Sequence, residues 1–430
     1  MDAATKSKST NVHSSFRYDL MAFLGHDYVQ PAGPADAVAG VEPKVIVSPA
    51  NEMQLAEVLR RSDEAGIAVI PRGGGTKLGW GNPPSRAELI LSTARLSEIT
   101  EHAWADLTVS VDAGCTIQKL QQTLALHGQR LALDPLWPNK ATIGGVLSSN
   151  DSGALRLRFG GLRDLIIGIT LALPDGTLAS SGGRVVKNVA GYDLPKLATG
   201  AFGTLGVITR AVFRLHPLPR SSRSFSVTAT SNEEMRRLIH AVQNSKLAHT
   251  ALQARFENGA TPAVDILFEG TEAGLKAQET HLRVLAETAP VAEASPEIWK
   301  TRQDLWSFPK PESAAVAKIS FLPAEIDRFM ETIAKSAKVR QLRWKAVAQA
   351  TGIGCLRLEG DAMKLRDSLQ DLREQFERST GSLVALYQPA GMPSIDTWGN
   401  TGDALPLMKS IKQQLDPKNT LSPGRFIGGI

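Results

Sequence analysis

From Pro43 onward, short apolar β-branched runs alternate with stretches whose apolar residues recur every three to four positions. The first pattern predicts strands and the second predicts helices with one buried face. Lys44–Ser48 reads as a strand. Asn51, with Gln54 three residues on, opens a helix whose Leu55, Val58 and Leu59 share a face, and Gly66 closes it. Ile67–Ile70 reads as a buried strand running into a glycine loop. Leu107–Val111 alternates, which puts Leu107, Val109 and Val111 on one side. Ile117, Leu120 and Leu124 mark a helix closed by Gly128. Leu165–Leu173 is an apolar strand, Pro174-Asp175-Gly176 a tight turn, and Thr204–Leu215 a strand ending at His216-Pro217.

Pro217, Pro219 and the polar run Arg220–Ser224 read as a boundary, and the pattern then repeats. The first unit has a strand at Phe225–Ala229, a helix opened by Ser231 and Glu234, strands at Ala251–Phe256 and Ala263–Phe268, and a helix at Leu275–Glu287. The second has a strand at Val316–Phe321, a helix at Ala324–Ala337, strands at Arg343–Val347 and Cys355–Leu358, a helix at Met363–Arg378 and a last strand at Leu383–Tyr387. Two such units predict one antiparallel sheet with helices on one face, a ferredoxin-like repeat. The chain is thus expected to be α+β. Its expected parts are a tail and lead-in at 1–40, with 1–15 mobile, a first domain at 41–219, a second at 220–400 and a C-terminal segment at 401–430.

Composition agrees with a globular chain: 430 residues, 42% hydrophobic and 21% charged. A net charge of +5 without a basic, aromatic-laced stripe argues against nucleic-acid binding. Cys115 and Cys355 form no CxxC or metal spacing, which fits buried thiols in a reducing cytoplasm. The polar start has no secretory signal pattern, and no apolar run nears the roughly 18 residues of a membrane span.

The chemistry concentrates in three motifs. Pro71, Arg72, Gly73, Gly74, Gly75, Thr76 and Lys77 follow a strand directly. Consecutive N–H groups in such a loop form an anion nest, and the loop suits a pyrophosphate or is an ordinary glycine-rich turn. It has neither the P-loop order nor the GxGxxG spacing, which disfavours a nicotinamide enzyme. About 70 residues on come Asp134-Pro135 and then Thr142, Ile143, Gly144, Gly145, Ser148, Asn150, Ser152 and Gly153. Thr142 caps a helix whose first N–H groups are expected to be free for a phosphate, unless this is an ordinary capped helix. The third motif is Lys187–Leu194 followed by Gly203–Thr209, with Gly206, Val207 and Ile208 at its centre.

Residues 43–217 resemble the FAD-binding domain of the vanillyl-alcohol oxidase / p-cresol methylhydroxylase (PCMH) superfamily, because PRGGGT, ATIGG…N…SG, KNVAGYDL and GTLGVIT stand in its order and spacing. The resemblance implies a PCMH-type FAD-binding domain with the pyrophosphate on Arg72–Thr76. It also implies cofactor contacts at Thr142–Gly145 and Ser148–Gly153, backbone of Gly206–Ile208 at the adenine end, and Pro135 beside the flavin. Lys187 and a buried Tyr192–Asp193 pair would brace the domain or take part in chemistry. With no His at 71–77 and no Cys at 134–145, a covalent flavin link is not expected. The closing segment Asp416–Phe426 resembles one that folds back to the flavin; there Arg425 would balance charge on the reduced flavin or be a surface cation.

Nearest hydroxy-acid dehydrogenases of that family carry an HxGDGNxH metal motif. This chain has no His after His281, and Ala348–Cys355 stands in the motif's place, so no metal site is expected. In this absence, and at Trp299…Phe308 and Asp396–Gly399, the chain is similar to the E-type subunits of bacterial glycolate oxidases. That likeness implies non-covalent FAD and oxidation of glycolate to glyoxylate with electrons passing to an iron–sulfur subunit. A D-type FAD subunit with the metal motif would bind the small 2-hydroxy acid. It implies a cytoplasmic chain, membrane-associated only through partners. A self-sufficient FAD dehydrogenase and a non-catalytic FAD-retaining assembly subunit are the competing readings. The catalytic residues are unknown from the sequence.

Overall fold

The computed structural model describes residues 15–183 and 192–430. Residues 15–24 are helical, and Phe16, Leu20 and Leu24, spaced four apart, sit in the core. The lead-in, expected as a tail, thus holds a helix.

Four strands form a small sheet in the order Val29–Pro31, Val45–Val47, Leu89–Ser92, Val69–Arg72. The first pair is antiparallel and the others parallel. Val45–Val47 and Val69–Arg72 flank Leu89–Ser92, and the helix Glu52–Glu64 carries the chain across from the first to the second. Asn51 caps it by accepting from Gln54 N–H, and Gln54 in turn accepts from Ala50 N–H. The C-terminal segment returns here: Leu421 bridges Val69 in parallel, with Val69 N–H donating to Thr420 O and Ser422 N–H to Val69 O.

A second, antiparallel sheet has the order Ile99–Ala103, Thr108–Asp112, Val207–Arg214, Ile166–Ala172, Leu178–Gly182. Val109 and Val111 are buried as expected, but Leu107 is not in the strand. It adopts a left-handed φ of 52° after a short 3-10 turn and is exposed. The predicted strand from Thr204 starts only at Val207, leaving Thr204–Gly206 as loop.

The third sheet has eight strands in the order Val291–Ala294, Ser221–Thr228, Ala263–Gly270, His249–Glu257, Arg343–Gln349, Ile353–Glu359, Ala314–Ser320, Ser382–Tyr387. Every neighbouring pair is antiparallel. The repeat is fuller than expected: each unit is β-α-β-β-α-β, and the two join through His249–Glu257 and Arg343–Gln349. Val291–Ala294 escaped the sequence reading because it is short and only partly buried. In the polar run at 220–224, Ser221–Ser224 already belong to a strand of this sheet.

Side chains alternate across a strand, so Ala315, Ala317 and Ile319 meet the helices Ile326–Arg340 and Ala362–Arg378 on one face. The opposite face, with Val316, Lys318, Val347 and Cys355, turns toward the segment around Leu305 and the first two sheets. Arg130 and Glu269 form a largely buried bidentate pair across this junction, at 2.7 and 2.6 Å.

Candidate functional site

Where the two smaller sheets meet, a cleft opens at the end of strand Val69–Arg72. It gathers Pro71, Arg72, Gly73, Gly74, Gly75, Thr76, Lys77, Thr142, Gly144, Gly145, Ser148, Gly206, Val207, Ile208 and Arg425. Most of the sequence-derived site residues, from four separate segments, therefore lie on one surface. Leu78, Thr93, Ser149, Phe202 and Gly203 complete it. Gly203 opens a motif already singled out and Phe202 precedes it, whereas nothing in the sequence pointed to Thr93.

The two glycine motifs touch. A Cβ on Gly74 would stand 1.8 Å from the Lys140 carbonyl oxygen, and one on Gly73 2.0 Å from Thr142 Oγ1. Gly75 has φ +71°, a conformation that L side chains rarely adopt. The run of glycine is thus required by the fit of one loop against the next as well as by exposure of its amides. Those amides, from Gly73 to Lys77, make no hydrogen bond to the described residues, although Leu78 N–H returns to Gly75 O. Consecutive free N–H groups of this kind have the form of an anion-binding nest.

The second motif behaves differently from expectation. The helix Ile143–Ser149 begins with its amides already taken: Ile143 N–H donates to Cys115 O, Gly144 N–H to Ala113 O, and Gly145 N–H to the capping Thr142 hydroxyl. It offers the cleft a smooth wall without side chains and the Ser148 hydroxyl, not a second set of free donors.

The loop's cations are also committed elsewhere. Arg72 Nη1 donates to Asp36 at 2.6 Å. Gly33 N–H and then Arg72 hold that carboxyl below its ordinary range. Lys77 Nζ lies 3.2 Å from Asp151, and both side chains are almost fully buried. The positive charge left to the cleft is Arg425, which is buried and not a surface cation. Its Nη2 donates to Leu78 O and Trp80 O, its Nε has no partner, and burial draws its pKa down to about 10, so it stays charged at neutral pH.

Five predicted residues lie off the cleft. Ile143 is in the core. Pro135 is buried and does not line the cleft. Gly153 N–H donates to Asp134 Oδ1 at 3.0 Å. Asn150 and Ser152 line a second cavity under the eight-stranded sheet. Lys187 falls outside the described residues. Tyr192 is 92% exposed and Asp193 caps the five-residue helix Leu194–Ala198, so the expected buried Tyr–Asp pair does not exist.

The second cavity is tied to the first through Lys77. Asp151 accepts from Lys77 on one side and from Arg302 Nη1 at 2.7 Å on the other, and it receives Leu136 N–H at 2.8 Å. Arg302 also donates to Ser152 O and Asp134 O. Burial alone would raise the Asp151 carboxyl, but Arg302 and Lys77 outweigh it and bring it down to about 2. Nothing in the order of residues pointed to Arg302 meeting Asp151, because the contact joins the short helix Thr301–Asp304 to a loop 151 residues earlier.

Residues 43–182 match the family model described as an FAD binding domain. The chain is 27% identical over 429 residues to the mitochondrial cytochrome-type D-lactate dehydrogenase of Arabidopsis thaliana, covering 90% of this chain and 73% of that one. It is 22% identical over 421 residues to the glycolate oxidase subunit GlcD of Bacillus subtilis, covering 89% of each. Its fold is that of p-cresol methylhydroxylase with substrate bound, at TM-score 0.77, 14% identity and 96% coverage of both chains. The fold is therefore the PCMH-type FAD-binding fold, and the cofactor is FAD. The cradle suits that dinucleotide: free amides and a buried cation for a diphosphate, and side-chain-free walls for its approach.

Proposed function

We propose that this chain, an FAD-dependent oxidoreductase, is the E-type subunit of a glycolate-oxidase-like assembly that oxidises a small 2-hydroxy acid, glycolate, to glyoxylate. The observation that carries the reading is the row of unpaired amides at Gly73–Lys77 beside the buried Arg425. Relatives named as dehydrogenases or oxidases of D-lactate and glycolate support the substrate class. The absence of any histidine beyond His281 supports a division of labour with a D-type subunit that binds the substrate.

When bound, FAD supplies the two-electron acceptor. This chain's residues do the holding. The amides of Gly73–Lys77 take the diphosphate, and Gly144 and Gly145 leave it room. Gly206–Ile208 border the adenine end. Arg425, fixed by two carbonyls, keeps a positive charge against the anionic cofactor. Electrons leave to an iron–sulfur subunit. The link is non-covalent, and any membrane association comes through partners; among the described residues no helix is long and apolar enough to cross a membrane.

Purification of the assembly from its native host, followed by stopped-flow absorbance, tests this. The chain is expected to co-purify with a metal-motif homologue and a cysteine-rich subunit, and glycolate should bleach two flavin equivalents. Purification of this chain alone would contradict the assembly. Bleaching of a single equivalent would mean that this chain's flavin takes no electrons.

A further inference from the structure

The helix Leu405–Leu415 inverts the usual amphipathic rule. Leu407 is 65% exposed, and the one buried residue of the helix is a cation, Lys412. A buried ammonium needs acceptors for its protons. Three are present. Lys412 Nζ donates to Thr204 O at 2.9 Å, to Leu421 O at 2.9 Å and to Asp416 Oδ2 at 2.5 Å, which uses all of its donors. Asp416 is itself tied down, since it accepts from Thr420 N–H at 2.8 Å and from Leu421 N–H at 2.7 Å. Burial lowers the Lys412 pKa, and Asp416 works against that shift.

These acceptors belong to two walls of the cofactor cleft. Thr204 stands between Gly203 and Gly206–Ile208, which line it. Leu421 belongs to the C-terminal return, which runs beside Val69 and carries Arg425 into the cleft. Among the described residues no other hydrogen bond joins residues 200–206 to residues 416–430. Phe202 packs against Phe426 with ring centroids 6.0 Å apart, but such packing is less directional. Lys412 itself does not line the cleft. Hydrophobic residues of similar size hold two segments together at least as well as a buried ion pair. What the ammonium adds is a fixed distance to two carbonyls, one on each wall.

We infer that Lys412 is a positioning residue for FAD: it clasps the loop at 203–206 to the C-terminal return, and the cofactor, filling the cleft between them, tightens the clasp in turn. The coupling is reciprocal because both events favour the same arrangement of the two walls. Arg425 has anchors of its own, the carbonyls of Leu78 and Trp80, so the wall released by loss of the lysine is the loop. In the functional reading above, on which this last step rests, that loop borders the adenine end. The adenosine half of the cofactor should therefore feel the loss and the flavin half should not.

The test compares FAD with FMN, which lacks the adenosine half, by fluorescence titration of the full-length apo-protein. Lys412→Met, close to lysine in volume, should lose at least about tenfold in FAD affinity while FMN affinity stays within about threefold of the parent. Lys412→Arg, which retains the donors, should recover part of the loss. Amide hydrogen exchange in the parent gives a reading without substitution, and it decides if neither variant folds. FAD should slow exchange in helix Leu405–Leu415, which does not line the cleft, more than in helix Ala362–Arg378, which packs on the eight-stranded sheet. Unchanged FAD affinity in the methionine variant, or equal slowing in the two helices, would overturn the clasp. Equal loss of both flavins, with helix Leu405–Leu415 still selectively slowed, would uphold the clasp and move the adenine elsewhere. Failure to find partner subunits would sink the assembly reading alone.

Discussion

Replacement of Gly74 by alanine is expected to leave the chain without FAD. The new Cβ would lie 1.8 Å from the Lys140 carbonyl oxygen and 2.8 Å from its carbon, and both are backbone atoms that cannot rotate away. One of the two loops must move. Overpacking of this kind costs about 1–3 kcal/mol or more. The larger consequence is geometric, because the five free amides keep their places in the cleft only while Gly73–Lys77 keeps its course. A shift of about 1 Å removes several charge-assisted hydrogen bonds, each contributing about 1.5–3 kcal/mol. We expect a loss of at least about 100-fold in FAD affinity, seen as a collapse of absorbance near 450 nm relative to 280 nm, while circular dichroism stays native-like. Gly73→Ala should be milder, since the obstacle is the Thr142 hydroxyl, which can turn at the cost of its helix cap, about 0.5–2 kcal/mol. A Gly74→Ala protein that retains FAD as the parent does would contradict this account of the loop.

The largest stability effect is expected at Asp151. Asp151→Ala leaves Arg302 and Lys77 enclosed with no carboxylate between them and removes the acceptor of Leu136 N–H. Breaking a buried pair from one side typically costs about 3–5 kcal/mol. Asp151→Asn keeps the shape but not the charge and should fall between the two. The pH dependence has a defined sign. The folded carboxyl sits at about 2, below the 3.8 of the unfolded chain. Its contribution is therefore complete above pH 3.8 and is lost as pH falls toward 2, by about 2 kcal/mol. Urea unfolding at neutral pH, repeated on descending into that window, measures both effects. An Asp151→Ala variant as stable as the parent, with the same acid limb, would contradict the assigned role.

Much of this was legible because it is local. Asn51 and Thr142 announce helix starts through their own side chains, and the apolar period places Leu55, Val58 and Leu59 inward. The glycine loop follows its strand directly, so its position could be read from the order of residues. What failed to show was set by distant partners. The amides at the start of helix Ile143–Ser149 looked free, yet carbonyls of Ala113 and Cys115 occupy them. Arg72 and Lys77 looked like ligand contacts, yet Asp36 and Asp151 claim them. Arg425 could not be told from a surface cation until the C-terminal segment was seen to run beside Val69 and bury it. Lys318 and Gln349 come to line one cavity only through the register of the eight-stranded sheet. Burial of Val109 and Val111 followed from alternation, whereas Leu107 escaped it through a left-handed backbone that no hydrophobic pattern encodes.

The grip on the diphosphate is the claim on which the rest stands, and comparing FAD with riboflavin tests it most directly. Apo-protein titrated with each flavin by fluorescence should take up one equivalent of FAD, fully released on denaturation. Riboflavin, which lacks the phosphates, should bind at least about 100-fold more weakly. Riboflavin binding as tightly as FAD, or no uptake of either, would show that the amides of Gly73–Lys77 do not hold the cofactor.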